Sequence, residues 1–224
     1  MTKNVSVILP IKIKEKWQEH MTECCIRTMM DTTDMPFELV IAESESSCYE
    51  DSGYSYIHFP KSLGYSKEFN QALSRVTGDY IVHIGNDIFT RPGWLEAMMK
   101  CFEIPDCGAA TLASSDMKHN PASRIMEGIY CPLMMLRRED FRFDEDTFPD
   151  VFNDSDMIMQ MYESGKRMYR NWNVVIVHLG QQTYKMSDPK KRELEFNAAK
   201  ERFVKKHGNS KLLIYRAFTE GWVI

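Results

Sequence analysis

Short apolar runs alternate along this chain with stretches in which apolar residues return every three or four positions. VSVILPI (5–11), FELVIA (37–42), SYIHF (55–59), DYIVHI (79–84) and GAATLAS (108–114) have the length and β-branched content of buried strands. Between them, EKWQEHMTECCIRTMM (15–30) sets Trp17, Met21, Cys24 or Cys25, and Thr28 on one helical stripe. SKEFNQALSRV (66–76) turns Phe69, Leu73 and Val76 to one side, and GWLEAMMKCFE (93–103) is a further amphipathic helix after a Pro-Gly start. Strands alternating with helices predict an α/β protein with a doubly wound, mostly parallel sheet flanked by helices. Ligands of such sheets sit in the crevice outside the carboxyl ends of the strands.

The later sequence changes character. GIYCPLMMLRRED (128–140) reads as a strand with a hairpin-like approach from HNPASRIME (119–127). FNDSDMIMQMYESG (152–165) reads as a helix capped by Asn153 or Asp154, with Met157, Ile158 and Met161 on its apolar face and Gly165 at its end. NVVIVHLG (173–180) is a late strand, and PKKRELEFNAAKERFVKKHG (189–208) a helix with Pro at its first position and Gly after its last. There is no internal repeat or long linker. The chain reads as a single domain over 1–224, with a nucleotide-binding half (1–114) and a smaller acceptor-binding half (115–224).

Composition narrows the function classes. Of 224 residues, 43% are hydrophobic and 27% charged, as in ordinary globular proteins. A net charge of −4 gives no basic footprint for nucleic acid. The basic concentration at 188–211 is interleaved with Glu at helical spacing and reads as a solvated helix face. Charges interrupt every apolar run, so no transmembrane segment is expected. MTKNVSVILP does not read as a signal peptide, and the six Cys form no CxxC pair. The expectation is therefore a cytoplasmic protein with reduced cysteines.

The chemistry gathers at strand ends. Neither GxGxxG, GxxxxGK[ST] nor GxSxG occurs, which removes the main support for dinucleotide, P-loop and nucleophile-elbow readings. What remains is Glu43, Asp87, Asp154, Asp156 and His178, with Asn86 beside Asp87. An Asp and a distant His at strand ends suit Mn2+ or Mg2+ held together with a ligand's diphosphate, since these ions favour oxygen and Mn2+ also accepts imidazole. A carboxylate at a helix start, Asp154, suits a general base on an acceptor hydroxyl, and equally suits plain helix capping. GND (85–87) is also ordinary turn chemistry.

Taken in order, these segments resemble family 2 glycosyltransferases of the GT-A fold. VSVILPIKI resembles the family's "sviiPtyn" through Pro10, and LVIAESESS its "ivvDdgStD" with Glu43 at the acidic position. SLGYSKEFNQALSRVTGDYIVHIGND resembles "nlGfaganNaGl..a.GdyivflNnD", aligning Gly64, Asn70, Gly78, Asp79 and Asp87, and Pro92-Gly-Trp-Leu-Glu96 continues it. YCPLMMLRREDFRFDEDTF, FNDSDMIMQMYESG and VVIVHLGQQT follow in the family's order.

The resemblance implies an inverting, metal-dependent transfer from a nucleotide-sugar donor, of the UDP-sugar kind, to the hydroxyl of an acceptor glycan or other acceptor. It implies that Pro10 and Glu43 line the nucleobase and ribose site, and that Gly64, Asn70 and Asn86 lie with the donor. Asp87 and His178 hold Mn2+ or Mg2+, and Asp154 is the catalytic base. Tyr184 and Lys185 read, from position alone, as a lid or as plain loop. The chain departs from the family pattern at Gly85, where an Asp or Asn is usual, at Glu43 and at Asn153. The readings kept beside this one are a non-catalytic nucleotide-sugar binder, a nucleotidyltransferase without the Gly-rich basic loop, and a transferase acting on modified nucleic acid. The last would need Lys190, Lys191, Arg192, Lys205 and Lys206 to form one phosphate-facing patch.

Overall fold

The computed structural model describes residues 4–33, 35–117, 124–128, 133–140, 142–180, 182, 186 and 188–209. Its sheet is built outward from β1 (Val5–Ile11). β2 (Glu38–Ser44) lies parallel on one side, followed by β3 (Ser55–Phe59), and β4 (Tyr80–Ile84) lies parallel on the other. Beyond β4 the order runs through β8 (Leu133–Arg137), β6 (Cys107–Ser114) and β9 (Arg167–His178) to the two-residue β5 (Ile88–Phe89). β8 runs antiparallel to both β4 and β6, while β6 and β9 are parallel.

The helices α1 (Lys16–Asp31) and α3 (Trp94–Cys101) cover one face of the sheet, and α2 (Tyr65–Leu73) and α4 (Asn153–Glu163) the other. The strand alternation makes this possible. Val7, Leu9, Val82 and Ile84 pack with Cys25, Met29, Leu95 and Met98, whereas Ile8 and Ile81 pack with Phe69, Met157 and Ile158. Both faces are covered, so the strands read as continuous apolar runs. The last helix, α5 (Pro189–His207), docks through Phe203 and Ala199 onto Phe148, Phe152 and Met159. Among the described residues no helix is long and apolar enough to cross a membrane.

Four sequence expectations need correction. The buried stripe of α1 is Met21, Thr22, Cys25, Ile26 and Met29, and Trp17 stays 43% exposed. The reason lies at the helix start, where the Gln18 side chain accepts from the amides of Lys14 and Glu15 and so occupies the inward position. The hairpin expected before β8 is absent among the described residues: β7 (Ile125–Glu127) pairs with β9, at Ile125 opposite Asn171. Finally, α4 is capped by neither Asn153 nor Asp154. Its N-cap is Phe152, at φ 66°, and both polar residues lie in the first turn. The late strand begins at Arg167, earlier than the apolar run suggests, because its polar and aromatic first half, Arg167 to Asn171, also joins the backbone ladder with β6.

Gly78 is required where β1 and β4 meet, since a Cβ there would stand 2.6 Å from the Ser6 amide nitrogen. The five described cysteines are free thiols, and Cys25, Cys101 and Cys107 are buried. Cys131 lies outside the described residues.

Candidate active site

The parallel strands β1, β2 and β4 deliver their carboxyl ends to one edge, with Ile11 in register with Glu43. At the end of β4 the chain turns through Gly85-Asn86-Asp87, closed by the Ile88 amide donating to the Gly85 carbonyl at 3.3 Å. The next residues form β5, which pairs antiparallel with the end of β9, Ile88 opposite His178. This short pairing joins two sites distant in sequence. The Leu179 amide donates to the Asp87 carbonyl at 3.0 Å, and His178 Nε2 stands 3.7 Å from Asp87 Oδ2. Both side chains are 11% exposed.

Neither neighbour of Asp87 competes for its ligand. Asn86 turns its amide inward to Thr22 Oγ1 at 3.0 Å, so its side chain braces α1 rather than facing the cleft. At Gly85 a Cβ would stand 3.0 Å from Asp87 Oδ1. Any side chain at that position would therefore crowd the Asp87 carboxylate.

Among the described residues no three His, Cys, Asp or Glu side chains converge as a metal cage. The Asp87–His178 pair alone is nonetheless a chemically fitting donor set for Mn2+ or Mg2+. These ions are commonly held by one or two protein ligands, with substrate phosphate and water supplying the rest.

Asp154 approaches from the other side of the sheet edge. The segment before α4 is tied to the start of α2: Ser66 N donates to the Pro149 carbonyl at 2.8 Å, Tyr65 N to Asp150 Oδ1 at 2.9 Å, and Asn153 Nδ2 to Ser66 Oγ at 3.0 Å. Gly64, at φ 93°, allows this approach, because its hydrogen faces Pro149 where a Cβ would lie 3.4 Å from the proline ring. Asp154 Oδ1 accepts from the Ser155 amide and hydroxyl at 2.7 and 3.1 Å, and among the described residues Oδ2 has no hydrogen-bond partner. Burial pushes the Asp154 carboxyl above the usual aspartate range, and the Ser155 hydrogen bonds offset this only in part.

Tyr65 links the two groups. Burial raises its phenol pKa first, and the negative charges of Asp154 and then Asp87 raise it further, so one hydroxyl feels both carboxylates. Its oxygen is hydrogen-bonded to His83 Nε2. The His83 ring is enclosed by Tyr65, Phe69 and Phe143, with centroids 5.6, 5.2 and 5.9 Å away, and burial lowers its pKa to about 4. His83 is therefore neutral near pH 7.

The remaining expected residues are positioned as follows. Pro10 is half-buried in β1 opposite Ala42. Glu43 is fully buried, and its carboxylate accepts from the amides of Cys48 and Tyr49 at 2.9 and 3.0 Å and from the Tyr56 hydroxyl at 3.0 Å. It shapes the loop after β2. Asn70 clamps the 143–145 segment, donating to the Phe143 carbonyl and Glu145 Oε2 and accepting from the Phe143 amide. Asp156 is buried beneath α5, bound by His207 Nε2 at 2.7 Å, Lys206 Nζ at 2.8 Å and Gln160 Nε2 at 2.6 Å. Lys206 also pairs with Asp144 at 2.7 Å, which removes it from any phosphate-facing patch. Tyr184 and Lys185 lie outside the described residues. Sequence reading missed Tyr65 and His83; the one available signal was a histidine inside the apolar run YIVHI.

Comparison with known proteins now bears on this geometry. The family model described as Glycosyl transferase family 2 matches residues 6–163. No curated protein matches the chain in sequence. Among solved structures, the mannosyltransferase PcManGT from Pyrobaculum calidifontis, in complex with GDP-Man and Mn2+, superposes with a TM-score of 0.63. It is 17% identical, over 98% of this chain and 74% of that one. Glucosyl-3-phosphoglycerate synthase from Mycobacterium tuberculosis, in complex with Mn2+, UDP and phosphoglyceric acid, gives 0.62 at 12% identity, over 90% and 78%. S. aureus TarS 1-349 gives 0.59 at 13%, over 90% and 72%. At such identities the likeness is one of fold, and the fold is GT-A.

Proposed function

Because the chain belongs to glycosyl transferase family 2, we propose that it transfers a sugar from a nucleotide-sugar donor, of the UDP-sugar kind, to an acceptor hydroxyl with inversion. The observation that supports this reading is the β5–β9 pairing that sets His178 Nε2 3.7 Å from Asp87 Oδ2 at the carboxyl edge of the sheet. Asp87 and His178 would hold Mn2+ or Mg2+, whose charge, when the ion is bound, stabilises the departing diphosphate. Asp154 Oδ2 takes the proton of the acceptor hydroxyl. The acceptor oxygen then bonds to the anomeric carbon as the bond to the diphosphate oxygen breaks on the opposite face. Residues 1–114 would hold the donor and 115–224 the acceptor.

Solved neighbours contain Mn2+ with GDP-Man and Mn2+ with UDP, which supports the metal and leaves two nucleobases to compare. The test is a panel of UDP-, GDP- and TDP-sugars with and without Mn2+, read by thermal stabilisation and by sugar release. A melting temperature raised by one nucleotide-sugar only when Mn2+ is present supports the reading. No shift with any donor overturns it.

A further inference from the structure

Behind His178 stands a second carboxylate that the mechanism above does not use. Asp116 Oδ2 lies 2.9 Å from His178 Nδ1, on the side of the ring away from Nε2 and Asp87. The Asp116 carboxylate is itself fixed, because Ser114 Oγ donates to its Oδ1. The His178 backbone is fixed by the same turn: its amide donates to Ser115 Oγ at 3.1 Å, while the Ser115 amide donates to the Ile176 carbonyl at 2.9 Å. Ser114 and Ile176 are paired in the parallel β6–β9 ladder, so one turn after β6 holds both the backbone and the ring of the residue that ends β9.

A neutral imidazole carries one proton on one of two nitrogens, and the nitrogen that is hydrogen-bonded to a carboxylate keeps it. We propose that Asp116 is a positioning residue that holds the proton of His178 on Nδ1 and thereby presents the Nε2 lone pair toward Asp87 as a metal ligand. This rests on the reading that Asp87 and His178 bind the ion. Carboxylates behind metal-bound histidines do this in other proteins, and their loss typically weakens metal affinity by about 10–100-fold.

The test measures Mn2+ affinity by electron paramagnetic resonance on the full chain with UDP or GDP present, for wild type, Asp116→Ala and Asp116→Asn. Nitrogen-15 NMR of the metal-free proteins reads the His178 tautomer in parallel. Asp116→Ala should weaken Mn2+ binding by about 10–100-fold and shift His178 away from the Nδ1–H form. Asp116→Asn keeps an acceptor oxygen at the same place and should recover most of the affinity and the wild-type tautomer. Wild-type affinity and tautomer in Asp116→Ala would overturn the assignment alone. Equal losses in a folded Asp116→Asn would also overturn it, since orientation would then not be the cause. Absence of Mn2+ binding by the wild-type chain with either nucleotide overturns the metal reading, and the assignment with it.

Discussion

At the scale of single residues, the half-engaged carboxylate of Asp154 decides most. Its Oδ1 is held by Ser155, and burial favours the protonated form, so it ionises above the usual aspartate value. A base must be ionised to act. The acid limb of kcat/KM, which reports the free enzyme, should therefore lie above the ordinary aspartate pKa of 3.8. Asp154→Asn should lower kcat by about 10²–10⁴-fold while Mn2+-dependent donor binding persists; a kinetic and thermal-shift pair of measurements separates the two. Gly85→Ala tests the other end of the cleft. Its methyl would meet Asp87 Oδ1 at 3.0 Å, so Mn2+ affinity should fall with little change in melting temperature. The two aspartates stood out in the sequence because Asp87 closes a strand segment and Asp154 opens a helical one. Tyr65 and Asp116 were not, since neither follows a pattern of spacing: each matters only through a partner across the sheet edge, His83 or His178. Glu43 and Asn70 were expected beside the donor, and their side chains hold loops here, since a motif does not tell whether a side chain faces a ligand or holds a loop.

At the scale of elements, β4 and α5 make separate predictions. His83 on β4 resists protonation down to about pH 4, whereas an unfolded histidine takes a proton near 6.5. Between these values the unfolded state binds more protons, so stability rises with pH across that window and is lost as pH falls through it. His83→Phe should flatten that part of the stability curve, as measured by urea unfolding at several pH values. The α5 helix is tied to the buried Asp156, which meets the buried ring of His207 and the part-exposed Lys206. Asp156→Ala removes the acceptor that Lys206, His207 and Gln160 share, although Lys206 keeps Asp144 and His207 keeps Glu163, and should cost about 1–3 kcal/mol, read as a lower denaturation midpoint. Pro189 and Gly208 marked the bounds of α5, while its N-cap Asp188, which accepts from the Lys191 amide, was not foreseen. Periodicity gave no hint of where α5 docks, because the anchoring ion pairs join residues from separate elements.

At the scale of the whole molecule, alternation of strand and helix foretold the parallel half of the sheet, where each strand's neighbours follow from short right-handed crossovers. The antiparallel insertion of β8 between β4 and β6 was not legible, since pairing partners depend on tertiary packing rather than on the run itself. The same topology draws the proposed site residues from the turn after β4, from α4 and from the end of β9.

That scatter orders events in time. Asp87 emerges with the first half of the chain, but its partner His178 sits at the end of the last strand, reached through the β5–β9 pairing. Non-local pairings close late, because chain entropy must be overcome before they form. Under the proposed function, capture of an ion with a diphosphate is therefore expected to be the last property that a refolding molecule acquires. In a stopped-flow experiment, Mn2+-dependent nucleotide binding should return with the slowest phase, after the fluorescence of the buried Trp94 has already recovered.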